Sequence, residues 1–167
     1  TFTASTGVLA GTPDNDDVGD HSVVITASDG TASATDTFTI TVANTNDAPT
    51  ITSTAVTSVA EDSAYSYTTT ASDVDSGDTV TLTCTTVPDW MSCTAGALTG
   101  TPLEAHIGDH SVVITASDGT ASVTDSFTVT VSNTNDDPTG SVTITGTAQE
   151  DQILGMATSQ IADEDGL

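Results

Sequence analysis

The sequence contains no lysine and no arginine, so its 24 aspartate and glutamate side chains have no cationic partner except histidine. The formal net charge is -24, which makes a compact chain repel itself and favours high ionic strength or bound cations. Nucleic acids and anionic membrane surfaces require basic residues in the proteins that bind them. The composition therefore excludes both as partners.

Long hydrophobic runs and recognisable catalytic motifs are also missing. No stretch of about 18 apolar residues occurs, so we predict no membrane insertion in this segment. Aromatic residues are scarce, with one Trp and two Tyr, and leave little platform for a ligand. Because no Gly-x-Ser-x-Gly motif and no acidic pair in an identifiable cleft occurs, we predict that the chain is not an enzyme.

Two segments of the chain are copies of each other. Residues 11–47 and 100–136 are offset by 89 residues and are identical at 28 of 37 positions. A period near 90 residues is too long for a solenoid unit and is typical of sandwich domains in series. We therefore predict that each repeat folds by itself.

Within each copy, apolar and polar residues alternate. Residues 23–28 and 37–42 both show period two, which indicates half-buried strands. Asp29-Gly30 lies between them, as Asp118-Gly119 does in the second copy, and Asp-Gly supplies the positive φ of a tight hairpin. Threonine and valine dominate, and helical periodicity is absent. These features predict an all-β fold.

The boundaries of the repeats are predicted from Asn46-Asp47-Ala48-Pro49 and Asn135-Asp136-Asp137-Pro138, where proline ends a strand ladder. Residues 1–49 are then the latter half of one module, and residues 50–138 form a complete one. Residues 139–167 begin a third module. That module is of a different type, because its first strand does not match the sequence from Ile51 onward.

Short motifs of the complete repeat carry a family resemblance. They are Pro88-Asp89-Trp90-Met91, Leu98-Thr99-Gly100-Thr101-Pro102 and Ala116-Ser117-Asp118-Gly119, followed by Asn135-Asp136. This pattern resembles the dystroglycan-type cadherin-like domain, and residues 139–167 look like another bacterial Ig-like repeat. The resemblance implies tandem Ig-like or cadherin-like β-sandwich domains in a linear array. It also implies a large secreted bacterial adhesin or surface fibre protein, located outside the cell or on its surface.

The same resemblance implies calcium ions at the joints between neighbouring repeats. A hard divalent cation takes six to eight oxygen ligands, and the acidic motifs of the chain follow the order of the family's ligands. We expect two clusters of ligands. The first contains Asn44, Asn46, Asp47, Asp73, Asp75 and Asp118, and the second contains Glu61, Asn133, Asn135, Asp136, Asp163 and Asp165.

An alternative interpretation needs no metal ion. Asp118 would then only close an Asp-Gly turn, and Asn-Asp before proline would be ordinary linker chemistry. The run from Asp73 to Asp78 fits this alternative less well, because three carboxylates within six residues repel one another unless a cation or open solvent separates them.

Cys84 and Cys93 are the two cysteines of the chain. In a secreted domain a disulfide between them is the favoured prediction. The alternative is two small buried thiols, with Cys93 taking the place of a core phenylalanine that the first copy has at Phe2.

These predictions lead to three hypotheses for the function. The preferred one is a calcium-stiffened extender that spaces a distal binding region from the cell. The second is a building block that assembles with other copies of the chain into an extracellular fibre or sheath. The third is an adhesin module that binds a glycan or a protein.

Overall fold

The computed structural model describes residues 1–151, 153, 155–157 and 161–163. These residues form β-strands and two short 3-10 turns, Asn15–Asp17 and Glu104–His106, with no α-helix among them. None of them forms a helix with the length and hydrophobicity that a membrane span needs. The all-β prediction is confirmed.

In chain order the strands are β1 (Phe2–Thr3), β2 (Val8–Leu9), β3 (Gly19–Ser28), β4 (Ser33–Val42), β5 (Thr50–Ile51), β6 (Ser58–Ala60), β7 (Tyr65–Thr68), β8 (Ala71–Ser72), β9 (Thr81–Thr86), β10 (Met91–Thr94), β11 (Ala97–Gly100), β12 (Gly108–Ser117), β13 (Ser122–Ser132), β14 (Thr143–Thr145) and β15 (Gly155–Ala157).

Two sheets form the sandwich of the second repeat. One has the strand order β10-β11-β7, and the other has the order β6-β13-β12-β9. β13 pairs in parallel with β6, whereas β11 pairs antiparallel with both of its neighbours. The period-two pattern places Val112, Ile114 and Ala116 of β12 in the core. Alternation in the sequence therefore reports which side of the strand is buried.

The core of this sandwich contains two tyrosines whose hydroxyl groups are both satisfied. Tyr65 donates to the carbonyl oxygen of Val56 over 2.7 Å, and the Tyr67 hydroxyl lies 2.8 Å from Ser53 Oγ. Desolvation by burial raises the pKa of Tyr65 to about 12, so this residue stays a neutral donor at ordinary pH. The buried core residues are Tyr65, Tyr67, Met91, Leu98, Val112, Ile114 and Val129.

A disulfide joins Cys84 of β9 to Cys93 of β10, with 6.3 Å between their Cα atoms. Because β9 and β10 belong to different sheets, the bond ties the two layers of the sandwich together. In the first copy Phe2 takes the place of Cys93, since Phe2 lies opposite Leu9 as Cys93 lies opposite Leu98.

Replacing both cysteines by alanine should lower the free energy of unfolding by about 2–3 kcal/mol, because the unfolded chain regains the entropy of an open ten-residue loop. Urea titration of the oxidised wild type and of the C84A/C93A variant measures this difference. Reduced wild type is the matched control, since it lacks the bond but keeps both sulfur atoms. Equal midpoints for oxidised and reduced protein would contradict the prediction.

The first copy has the same hairpin but an uncovered apolar side. β3 and β4 pair over ten residues, from Gly19 opposite Val42 to Ser28 opposite Ser33. Leu9 is 42% exposed, against 0% for its equivalent Leu98, and Ile40 is 40% exposed, against 0% for Val129. Since the two copies have nearly the same sequence, the difference comes from the residues packed on them. Tyr65 and Tyr67 supply that cover in the second copy.

By compactness the described residues divide into two units. Unit 1 contains Thr1–Thr50, Ala71–Thr81 and Ala116–Val123, and unit 2 contains Ile51–Thr70, Leu82–Thr115 and the described residues from Thr124 onward. Unit 1 therefore combines the first copy and its linker with two acidic loops of the second repeat. The repeat boundaries at residues 49 and 138 are defined by sequence and stay predictions.

Candidate metal centre

The linker that follows the first copy lies against both acidic loops of unit 1. The backbone N–H of Asp47 donates to Asp75 Oδ2 over 2.7 Å, and Asn46 Nδ2 donates to Asp118 Oδ2 over 3.0 Å. Asn15 Nδ2 donates to Asp47 Oδ2 over 2.9 Å. Residues that are 28 and 72 positions apart in the chain are thus brought into direct contact.

Three carboxylates of one loop converge beside this linker. Asp73, Asp75 and Asp78 each place one carboxylate oxygen so that the three oxygens lie within 4.8 Å of one another. The loop closes on itself, because the Asp75 N–H donates to Asp73 Oδ1 over 2.9 Å. Gly77 has a φ of 98°, a conformation that glycine adopts without strain. The spacing of the aspartates and the glycine together produce the cluster.

Asp75 is the buried member of the cluster. It is only 5% exposed, its Oδ1 has no hydrogen-bond partner among the described residues, and the buried Oδ2 of Asp73 has none either. A buried charge is costly unless it is paired, and the chain has no lysine or arginine to pair with it. Several carboxylate oxygens around two unpartnered atoms fit a hard divalent cation such as calcium.

Asp78 is a member of the cluster that the predicted ligand set left out. The signal was present, since the run from Asp73 to Asp78 contains three carboxylates. The pKa of Asp78 is raised, first by desolvation and then by the negative charges of Asp75, Asp73 and Asp118. A cation bound here would oppose the repulsion from these three negative charges.

Asp118 uses its two oxygens for different purposes. Oδ1 accepts the N–H groups of Thr120 and Ala121, both over 2.6 Å, and closes the Asp-Gly turn. Oδ2 faces the linker amide of Asn46. The N–H donors of Ala121 and Thr120 hold the pKa of Asp118 below its ordinary value. The turn of the alternative interpretation is therefore present, Oδ2 in addition contacts the linker, and the role of Asp118 as a calcium ligand stays a prediction.

Asn44 is the remaining residue of the first predicted cluster. It is exposed, and within the described part of the chain its side chain makes no hydrogen bond to the acidic loops. Asp29, which is equivalent to Asp118, closes the same turn in the first copy by accepting from Thr31 and Ala32.

A second acidic group lies within unit 2 around Glu61. Glu61 is 2% exposed, its Oε1 accepts the Thr134 N–H over 2.7 Å, and its Oε2 is buried with no hydrogen-bond partner among the described residues. Asn135 Nδ2 donates to the carbonyl oxygen of Asp136 over 2.9 Å, repeating the contact of Asn46 with Asp47. This buried carboxylate has the same unmet need for a counter-charge as Asp75.

Part of the second predicted cluster borders a cavity of about 320 Å³, which is lined by Asp62, Asp136, Asp137, Thr139, Ala162 and Asp163. Asn133 is exposed at the end of β13. Asp165 lies outside the described residues. Asp136 and Asp163 of the second predicted cluster therefore border the same cavity, while Glu61 accepts the Thr134 N–H of the adjoining linker.

The sequence profile of the family described as "Putative Ig domain" matches residues 1–43 and 48–132. The chain belongs to this Ig domain family. Its domains are generally non-enzymatic and usually extracellular. No curated protein sequence matches the chain.

Solved structures of cadherin domains are similar to this Ig domain protein. Extracellular cadherin domains 1–4 of protocadherin gamma B7 match 91% of the chain over 42% of their own length, with 20% identity and a TM-score of 0.54. Human protocadherin-24 EC1-2 matches 81% of the chain over 76% of its own length, with 18% identity and a TM-score of 0.48. The match to protocadherin gamma B7 and the family match together confirm the predicted Ig-like or cadherin-like sandwich as a fold.

An endo-fucoidan hydrolase of glycoside hydrolase family 107 matches 74% of the chain with 31% identity and a TM-score of 0.44. The chain spans only 20% of the length of that hydrolase.

In the Ig domain protein the cluster of Asp73, Asp75 and Asp78 is the group best arranged to hold a cation, with the linker at Asp47 beside it. A bound calcium ion would supply the positive charge that these residues lack. The residues themselves hold the linker against the two loops through the contacts of Asp47 and Asn46.

Proposed function

We propose that this chain is a calcium-stiffened extender region of a secreted bacterial adhesin or surface protein, and that its Ig-like repeats space a distal binding region from the cell. The observation that carries the proposal is the buried carboxylate of Asp75. Its Oδ1 has no hydrogen-bond partner among the described residues, and the carboxylates of Asp73 and Asp78 lie beside it. No lysine or arginine is present to neutralise these charges.

Two calcium sites follow from this proposal. The first uses Asp47, Asp73, Asp75, Asp78 and Asp118, with Asn44 and Asn46 on the linker. The second uses Glu61, Asn133, Asn135 and Asp136 with Asp163 and Asp165. Glu61 Oε2, which has no hydrogen-bond partner among the described residues, supports the second site as Asp75 supports the first.

The linker is the element that calcium would make rigid. Asp47 and Asn46 touch the two loops through two hydrogen bonds, and a hydrogen bond of this kind contributes only about 1–3 kcal/mol. A cation shared among carboxylates of the loops and linker would replace weak contacts by strong ones. Extracellular modules bind calcium at about 10⁻⁴ to 10⁻³ M, so filling would follow secretion.

The exposed apolar side of the first copy supports the proposed division into repeats. Leu9 and Ile40 occupy core positions by the repeat alignment but lie uncovered. Residues 1–49 then act as the latter half of one repeat, residues 50–138 as a complete repeat, and residues 139–167 as the start of a third.

Small-angle X-ray scattering with and without calcium tests the extender function. We expect the calcium-loaded chain to be monomeric and extended, and chelation should reduce its radius of gyration because the linker at Asn46 and Asp47 becomes flexible. Identical scattering curves before and after chelation, at calcium concentrations up to about 10 mM, would reject the proposal.

A self-assembling fibre is the second candidate, and the uncovered core residues Leu9 and Ile40 favour it. Under this alternative the radius of gyration grows with protein concentration. A concentration series at fixed calcium separates the two functions.

A further inference from the structure

The 3-10 turn of each copy begins with a backbone N–H that a side chain three residues later accepts. In the first copy Asp14 N–H donates to Asp17 Oδ2 over 3.2 Å, and in the second copy Leu103 N–H donates to His106 Nδ1 over 2.9 Å. Asp17 and His106 are equivalent positions of the repeat. The same structural task is therefore performed by a carboxylate in one copy and by an imidazole in the other.

An imidazole accepts a hydrogen bond at Nδ1 only while that nitrogen carries no proton. Protonation would place an N–H of His106 directly against the N–H of Leu103, and the hydrogen bond would be lost. Histidine changes its charge between about pH 5 and 8, whereas an aspartate stays ionised and accepting over that range. The two turns should respond differently to the same change of pH.

The titratable groups beside His106 are Asp89, His110 and Glu104. His106 Nε2 lies 3.8 Å from Asp89 Oδ1, but Asp89 is strongly exposed and an exposed pair is weak. His110 Nε2 lies 2.6 Å from the carbonyl oxygen of His106, a contact that an N–H at Nε2 makes in both charge states of His110. Glu104 belongs to the same turn. Protonation of His106 at Nδ1 would therefore turn its favourable contact with the Leu103 N–H into an unfavourable one.

We propose that His106 is a pH-sensitive cap that releases the 3-10 turn of the complete repeat at mildly acidic pH, while the turn of the first copy keeps its aspartate cap. The turn covers Trp90, whose ring centroid lies 6.5 Å from that of His106. Trp90 is the only tryptophan of the chain, and its buried Nε1 has no hydrogen-bond partner among the described residues. Release of the turn gives this indole N–H access to water.

The test uses the full chain at pH 7.5 and pH 5.5. NMR amide exchange, corrected for its intrinsic dependence on pH, should show that Leu103 loses protection by about fivefold at the lower pH, which is the effect of one hydrogen bond. The Asp14 amide should keep its protection. Trp90 fluorescence should shift to longer wavelength over the same range.

Two variants, each carrying the residue that the other copy has at the equivalent position, serve as matched controls. H106D should remove the pH response at Leu103, and D17H should create one at Asp14. A wild-type Leu103 amide equally protected at both pH values would overturn the proposal, as would a full response that persists in H106D. If H106D does not fold, the D17H variant decides alone, because a pH-independent Asp14 amide in that variant also overturns it.

Discussion

Calcium affinity at the first site should fall at least about tenfold when Asp75 is replaced by asparagine, a loss of about 1.4 kcal/mol or more in binding free energy. The substitution replaces the buried carboxylate whose Oδ1 has no hydrogen-bond partner among the described residues, and it lowers the charge at the centre of the cluster. Isothermal titration of the full chain with calcium measures the change, and Glu61 should provide an unaltered second site in the same experiment.

The control variant is D36N, which removes the same charge from an exposed position on β4. It should leave both calcium affinities within about twofold of wild type, because charges exposed to solvent are screened. Far-ultraviolet circular dichroism shows whether D75N keeps its strands. An affinity of D75N equal to that of D36N would show that the cluster holds no calcium, and the proposed function would lose its main support.

Replacing the equivalent leucine of each copy by alanine should lower the free energy of unfolding by very different amounts. L98A should lower the free energy of unfolding by about 2–5 kcal/mol, because Leu98 is fully buried and its removal leaves a cavity. L9A at the equivalent position should cost less than about 1 kcal/mol, since Leu9 is exposed at 42%. Denaturant titration monitored by Trp90 measures the first value, and NMR amide exchange in β3 and β4 measures the second.

A fusion that gives the first copy the residues that cover Leu98 in the second copy is the decisive control for the L9A and L98A comparison. Residues 50–91, with Cys84 changed to alanine, can be fused directly before Thr1 so that the first copy receives its own two tyrosines and tryptophan. In this fusion L9A should become about as costly as L98A. If L9A stays neutral there, the exposed side of the first copy is not a half core, and the proposed repeat boundary at residue 49 is wrong.

Much of the fold was predictable because it depends on local patterns. Alternation along residues 23–28 and 37–42 predicted the paired strands, and Asp29-Gly30 predicted a turn that has φ of 93° at Gly30. These features involve neighbours in the chain or the two sides of one strand, so composition and spacing were enough. The run from Asp73 to Asp78 likewise indicated that several carboxylates lie close together.

Features that depend on distance through space were not predictable in the same way. The membership of Asp78 in the carboxylate cluster depends on how the loop from Asp73 to Asp78 folds. For Asp118 the sequence offered an Asp-Gly turn and a calcium ligand as alternatives, and the structure shows the turn together with a contact of Oδ2 with Asn46. Spacing along the chain could not separate them, because both use the same residue.

The sequence alone determined the all-β fold, the repeat and the uncompensated negative charge, since each is a property of residue type and order. Only the tertiary structure decided which carboxylates are buried and which copy has a core. Burial depends on what packs against a residue: the equivalent leucine is covered at position 98 and exposed at position 9, and among the aspartates that the structure describes Asp75 is the buried one.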